Sequence, residues 1–109
     1  MNAPGLHEQH RDLYRAAVNG NPEAQYHLGL LFIQRDDVNE NDTQGLHWLR
    51  QAAENGVVDA QISIGLMYLE GEGAPRNLRE GMEWLERAAA TGDAEAKVVF
   101  DVMRQAVRL

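Results

Sequence analysis

The stretch at residues 52–87, AAENGVVDAQISIGLMYLEGEGAPRNLREGMEWLER, is a second copy of the stretch at residues 16–51, AAVNGNPEAQYHLGLLFIQRDDVNENDTQGLHWLRQ. The two align without a gap and share 12 of 36 residues, where unrelated segments would share about 2. Ala16-Ala17, Gly20, Ala24-Gln25, Gly29-Leu30, Gly45 and Trp48-Leu49 recur as Ala52-Ala53, Gly56, Ala60-Gln61, Gly65-Leu66, Gly81 and Trp84-Leu85. A third copy begins on schedule at Ala88-Ala89, Gly92 and Ala96, then drifts before Leu109. A repeat of this length marks a stacked solenoid, whose units bury their apolar faces only against one another and which mostly binds other proteins.

Within each copy, apolar residues recur at three- and four-residue steps on either side of a polar, glycine-rich break, which reads as two helices. Ala24, Leu28 and Leu31 form the stripe of the first helix; Leu46, Leu49 and Ala53 form that of the second. Asn21 and Asp93 are N-cap residues, and Pro22 sits where its missing N–H costs nothing. Gly20, Gly56 and Gly92 close the preceding helices as left-handed C-caps. Asn41 with Gln44, and Asn77 with Glu80, have capping-box spacing. The predicted helices are Leu6 to Asn19, Pro22 to Gln34, Asp42 to Asn55, Val58 to Glu70, Leu78 to Thr91 and Ala94 to Val107. Gly29 and Gly65 fall inside helices, where glycine costs about 1 kcal/mol against alanine, so their recurrence points to close helix approach.

Composition excludes several functions. With 17 acidic and 10 basic residues the net charge is −7, which repels nucleic acid and anionic membrane surfaces. No apolar run approaches the roughly 20 residues that span a bilayer. The first residues, Met1 to Glu8, lack the cationic start and apolar core of a secretion signal, so the expected location is the cytoplasm. There is no cysteine, hence no disulfide, thiol nucleophile or thiolate metal site.

The pattern Ala60-Gln61, Ile64-Gly65, Tyr68, Gly71, Gly73 and Pro75, followed by Gly81, Trp84-Leu85, Ala88-Ala89 and Gly92, closely resembles the Sel-1-like repeat family, which is similar to tetratricopeptide repeats. The resemblance implies an all-α fold, a right-handed α-solenoid of antiparallel helix pairs with about six helices, and an adaptor or scaffold role. It departs from the family at Arg35 to Glu40, which lacks the Gly-x-Gly of the second copy, so a different turn is expected there.

The expected organisation is one domain over residues 1–109: an N-terminal capping helix at 1–19, repeat units at 20–55 and 56–91, and a C-terminal capping helix at 92–109. Asp12 stands where Trp48 and Trp84 stand, and His10 where Leu46 stands. Asp101 replaces the repeat's glycine and Arg104 its aromatic. These polar changes read as solubilised ends of a complete short solenoid.

Sites of chemistry are weak. His7 and His10 lack the four-residue step of a helical zinc pair. In the acidic run from Asp36 to Asp42, a calcium loop starting at Asp37 would need glycine where Asp42 stands and glutamate where Trp48 stands. Gly71-Glu72-Gly73 has no third glycine or following lysine for a phosphate cradle. Ser63, Thr43 and Thr91 have no recognisable base. No cofactor, metal or catalytic residue is expected, and the chain reads as a non-enzyme.

The sharper expectation is a protein or peptide partner. Tyr26, His27 and Gln34 change to Ile62, Ser63 and Glu70 while the scaffold residues hold. By analogy with related solenoids, whose first helices line a concave groove, the partner-binding residues are His27, Leu31, Gln34, Ser63, Met67, Glu70, Val99 and Met103. Leu31, Met67 and Met103 fit a buried core stripe equally well. Glu23, Asp59 and Glu95 share one repeat position and should align as an acidic edge, explained by the helix dipole or by a basic partner. The last helix is apolar through Val98, Val99, Phe100, Val102, Met103, Val107 and Leu109, so a homodimer through that end is a further expectation. An alternative to the adaptor is a dedicated inhibitor or immunity protein that occludes one enzyme.

Overall fold

The computed structural model describes residues 10–34 and 39–107, apart from the side chains of residues 39–43. Among them are six helices and no strand: α1 Arg11–Val18, α2 Pro22–Ile33, α3 Asn39–Glu54, α4 Val58–Glu70, α5 Leu78–Ala90 and α6 Ala94–Val107. The helices stack as antiparallel neighbours into an α-solenoid measuring 51 × 26 × 17 Å, elongated as expected when each unit touches only the next. No described helix is long and apolar enough to cross a membrane.

Glycine sets how closely the helices of a pair approach. A Cβ added at Gly65 would lie 2.9 Å from the Leu85 side chain and 3.0 Å from the Gly81 carbonyl oxygen, and one at Gly81 would lie 2.8 Å from the Gly65 carbonyl. Gly29 and Gly45 repeat the crossing in the first copy, where Cβ atoms would meet Leu49 and Ile33. Helix propensity is sacrificed at these positions for a contact that no side chain permits.

The termini follow the capping chemistry. Gly20, Gly56 and Gly92 have φ of 95°, 93° and 92°. The Asn21 N–H donates to the Ala16 carbonyl and Gly20 N–H to Ala17, with Val57 to Ala52 and Gly56 to Ala53 repeating the pattern at 3.0–3.1 Å. Asn21, Asn77 and Asp93 accept from the N–H groups of Ala24, Glu80 and Ala96 at 2.9–3.0 Å. One arm of the expected box at Asn77 differs: its own N–H donates to the Tyr68 carbonyl, and the Glu80 carboxylate pairs with Arg50 instead.

The second pair opens differently from expectation in the first copy. Helix α3 begins at Asn39, three residues earlier than Asp42, so Asn41 lies within the helix rather than capping it. Copy two holds its chain out of helix with Gly71 and Gly73, both at φ of 74°, and with Pro75; copy one has Arg35, Asp37 and Asn39 at those positions and nothing to prevent an earlier start. The turn at 35–38 and the expected beginning of the first helix at Leu6 lie outside the described residues.

Three buried clusters fill the solenoid. Ala17, Ala24, Leu28 and Phe32 form one; Leu49, Ala52, Ala53, Ala60, Ile64, Tyr68 and Trp84 form the next; Ile62, Leu69, Met82, Leu85, Ala88 and Ala96 form the third. Two buried glutamines stitch them together. Gln25 Nε2 donates to the Ala17 carbonyl at 3.1 Å and Gln61 Nε2 to the Ala53 carbonyl at 3.0 Å, so each first helix clamps the end of the helix before it. The remaining amide oxygens diverge. Gln25 Oε1 accepts from Asn55 Nδ2 at 3.0 Å, whereas Gln61 Oε1 is buried and unpaired. Its partner position holds Thr91, whose hydroxyl donates to the Ala88 carbonyl at 2.6 Å and accepts from Asp93 N–H at 3.3 Å.

Thr91→Asn should therefore raise stability by about 0.5–1.5 kcal/mol, by supplying Gln61 with the donor Asn55 gives Gln25. A urea midpoint that stays the same or falls would contradict this account of the orphaned oxygen.

Candidate functional site

The first helices of successive units, α2, α4 and α6, present equivalent positions at four-, eight- and eleven-residue steps, which fall on one helical face. The first row is Glu23, Asp59 and Glu95, all exposed in the first turn of their helices. The second is His27, exposed, with Ser63 and Val99, half-buried. The third is Leu31, Met67 and Met103, all half-buried, and the fourth is Gln34, Glu70 and Ala106, all exposed. The eight residues singled out from sequence thus lie in three adjoining rows across three helices.

The choice between core and surface for the third row has a mixed answer. Met67 packs against the central cluster, and Met103 with Val99 against the C-terminal one, yet each keeps part of its surface in solvent. Thioethers in that position are adaptable contact surface. At the C-terminal side the row runs into a depression of roughly 320 Å3 with Leu66, Leu69, Leu78, Met103 and Val107 in its walls and Glu70 and Arg76 at its rim.

Tyr26 lies beside the acidic edge and is not among the residues singled out from sequence. Its ring is half-buried beside His27, with ring centres 5.6 Å apart. Burial pushes the phenol above its ordinary 10.0; Asp59 adds to the rise, Ser63 opposes it, and Glu23 and Glu95 add further. Carboxylates from three successive units thus contribute to the same rise.

A second polar group joins neighbouring units. Arg50 of α3 donates to the Tyr68 hydroxyl of α4, lies 5.7 Å above its ring, and pairs with Glu80 of α5 at 3.3 Å. Burial raises the Tyr68 pKa; Arg50 counteracts it and Glu80 reinforces it. The covariation was visible in the repeat, because Tyr14 and Gln44 stand where Arg50 and Glu80 do, but without coordinates nothing tied the two positions together.

The altered ends behave as polar surface. Asp12 is exposed, and Arg104 pairs with Asp101 at 3.7 Å while lying 5.3 Å above the Phe100 ring. Among the described residues no group of three His, Asp or Glu side chains is placed to hold a metal ion. His7 and the acidic residues Asp36 and Asp37 lie outside the described residues.

Raised tyrosine pKa values set the alkaline behaviour. Folded Tyr26 and Tyr68 hold their protons more tightly than the unfolded chain, so the unfolded state deprotonates first and stability falls as pH rises above about 10. Tyr26→Phe should make that decline shallower and remove one high-pH step from the phenolate absorbance titration; an unchanged decline would contradict the assigned field.

The Sel1 repeat profile matches residues 22–57 and 58–93. A Sel1 repeat protein from Oxalobacter formigenes is similar in structure, with a TM-score of 0.74 and 34% identity over 84% of this chain and 26% of that one. So is c5321, a protective antigen present in uropathogenic Escherichia coli strains displaying an SLR fold, with a TM-score of 0.77 and 33% identity over 85% of this chain and 20% of that one. The chain therefore spans about a quarter and a fifth of those proteins' lengths. No protein of curated function matches it significantly. With two consecutive copies matched and the helix pairs stacked as in both solved structures, the chain belongs to the Sel1 repeat family, whose members are generally protein–protein interaction modules on a helical scaffold that is typically non-enzymatic.

Proposed function

We propose that this protein is a non-enzymatic adaptor that binds a segment of a partner protein across the face formed by α2, α4 and α6. The observation that carries the reading is the third row: Leu31, Met67 and Met103 keep apolar surface in solvent on the first helices of three units, with His27 and Ser63 on one side and Gln34 and Glu70 on the other. Apolar surface that continues from unit to unit, rimmed by polar residues, is the anatomy of a protein interface. The binding residues on this reading are His27, Leu31, Gln34, Ser63, Met67, Glu70, Val99 and Met103.

Met67→Glu places a charge in the middle of that row. Capture of partners from the native cell with the wild-type and variant proteins, quantified by mass spectrometry, should give proteins enriched at least tenfold on the wild type and lost on the variant, with helical circular dichroism unchanged. Leu31→Glu is the second variant if Met67→Glu perturbs the fold. Equal recovery on wild type and folded variant would contradict the proposed face. A single enzyme recovered one-to-one and silenced on binding would turn the adaptor reading into that of a dedicated inhibitor.

A second reading, a homodimer through α6, is favoured by one observation. Val98 and Val102 are 61% and 55% exposed, although the equivalent Ile62 is buried at 8% against the C-terminal cluster and Leu66 packs on the same cluster. A second copy would cover this stripe as the following unit covers Ile62. Light scattering behind a sizing column should then give twice the monomer mass, reverting to the monomer in Val98→Asp; a wild-type monomer at high concentration would remove the dimer.

A further inference from the structure

The two ends of the stack are opposite halves of one helix pair. In repeat register α6 is a first helix, equivalent to α2 and α4, and α1 is a second helix, equivalent to α3 and α5; among the described residues neither has the helix that would complete its pair. Both are under-buried on the face that a pair covers. Ile62 shares a cluster with Met82 and Leu85 of α5, and Ile64 and Tyr68 share one with Trp84 of α5. At the positions of Ile62 and Ile64, α6 carries Val98, which is exposed, and Phe100, which is half-buried, whereas Ile64 and its equivalent Leu28 are fully buried. Leu49 and Leu85 are likewise fully buried, while Leu13 of α1, at the same position, is half-buried. The residues that break the repeat here are complementary in charge. Trp48 packs on the cluster that holds Phe32, and Trp84 shares a cluster with Tyr68, so each complete pair sets an aromatic of its first helix with the tryptophan of its second. At the ends Arg104 replaces that aromatic and Asp12 replaces that tryptophan, and both are exposed.

We propose that α1 of a second copy docks on α6 as its missing second helix, with Leu13 laid on Val98 and Val102 and Asp12 of one chain paired with Arg104 of the next. This rests on the reading in which a second copy covers α6, and it fixes which face of that copy does so. A two-fold pairing of α6 on itself leaves Leu13 and Asp12 uncovered and accounts for one end only. The head-to-tail contact is heterologous: every chain keeps a free α1 at one end and a free α6 at the other, so copies add in a row. Within one chain Arg104 pairs with Asp101 at 3.7 Å, an exposed ion pair of the kind that contributes little and leaves the guanidinium open to a second carboxylate. Asp101 stands where Gly29 and Gly65 allow their close crossings, and His10 stands where Leu46 and Met82 do. Packing between copies is therefore looser than packing within a chain, and the row forms and dissolves with concentration.

Light scattering on two variants, each blocked at one end, tests this. Wild-type protein across a concentration series should reach twice the monomer mass and go on rising. Asp12→Arg blocks α1 and Val98→Asp blocks α6; each alone should need at least tenfold higher concentration to associate, with helical circular dichroism unchanged. Their equimolar mixture should associate at the wild-type concentration and stop at two chains, because one free end of each kind remains. Arg104→Asp serves if Val98→Asp perturbs the fold, and Asp12→Arg combined with Arg104→Asp in one chain should restore growth past the dimer by reversing the pair. An Asp12→Arg protein that dimerises as the wild type does, or a mixture that stays monomeric while the wild type associates, overturns the head-to-tail contact and leaves the α6 dimer standing. A wild-type monomer at every concentration overturns both.

Discussion

The structure depends on backbone-to-backbone contact between paired helices at glycine. At the crossing of α4 and α5, two glycines face each other, and a methyl group on either would press on the other's carbonyl oxygen. That contact accompanies full burial of Leu85 against α4, as the crossing of α2 and α3 at Gly29 does for Leu49. The same geometry occurs in both copies, so successive units stack in register and equivalent side chains fall into rows. Where the glycine is replaced by Asp101 in α6, the position is partly exposed and its carboxylate pairs with Arg104.

Polar stitching adds direction to the stack. The amides of Gln25 and Gln61 are buried, and each holds a carbonyl of the preceding helix that also accepts a glycine N–H from the C-cap. Buried amides are tolerated because a hydrogen bond offsets most of their desolvation, and they are selective because a shifted helix would leave them unpaired. The single exception, Gln61 Oε1, follows from the change of Asn55 to Thr91 one repeat later: a short hydroxyl turns back into its own helix and never reaches the neighbour.

Function is read from what the stack leaves in solvent. Residues that hold the scaffold are spent on internal contacts, and the rows between them are free to differ from unit to unit. The acidic row keeps its charge through all three units while the row beside it changes from histidine to serine to valine.

The sequence alone determined the period, the two helices per unit, the caps at Asn21, Asn77 and Asp93, and the crossing role of Gly29 and Gly65, because each of these is a local requirement of backbone geometry imposed on residue type. It also placed Glu23, Asp59 and Glu95 at one repeat position. Only the tertiary structure decided that Tyr26 is half-buried beside His27, that Arg50 joins Tyr68 and Glu80, and that Met67 is divided between core and solvent. Those outcomes depend on distances between helices separated by tens of residues. The early start of α3 belongs to the same class in reverse: glycine and proline stop a helix visibly in sequence, while their absence leaves its first residue to be set by the packing that follows.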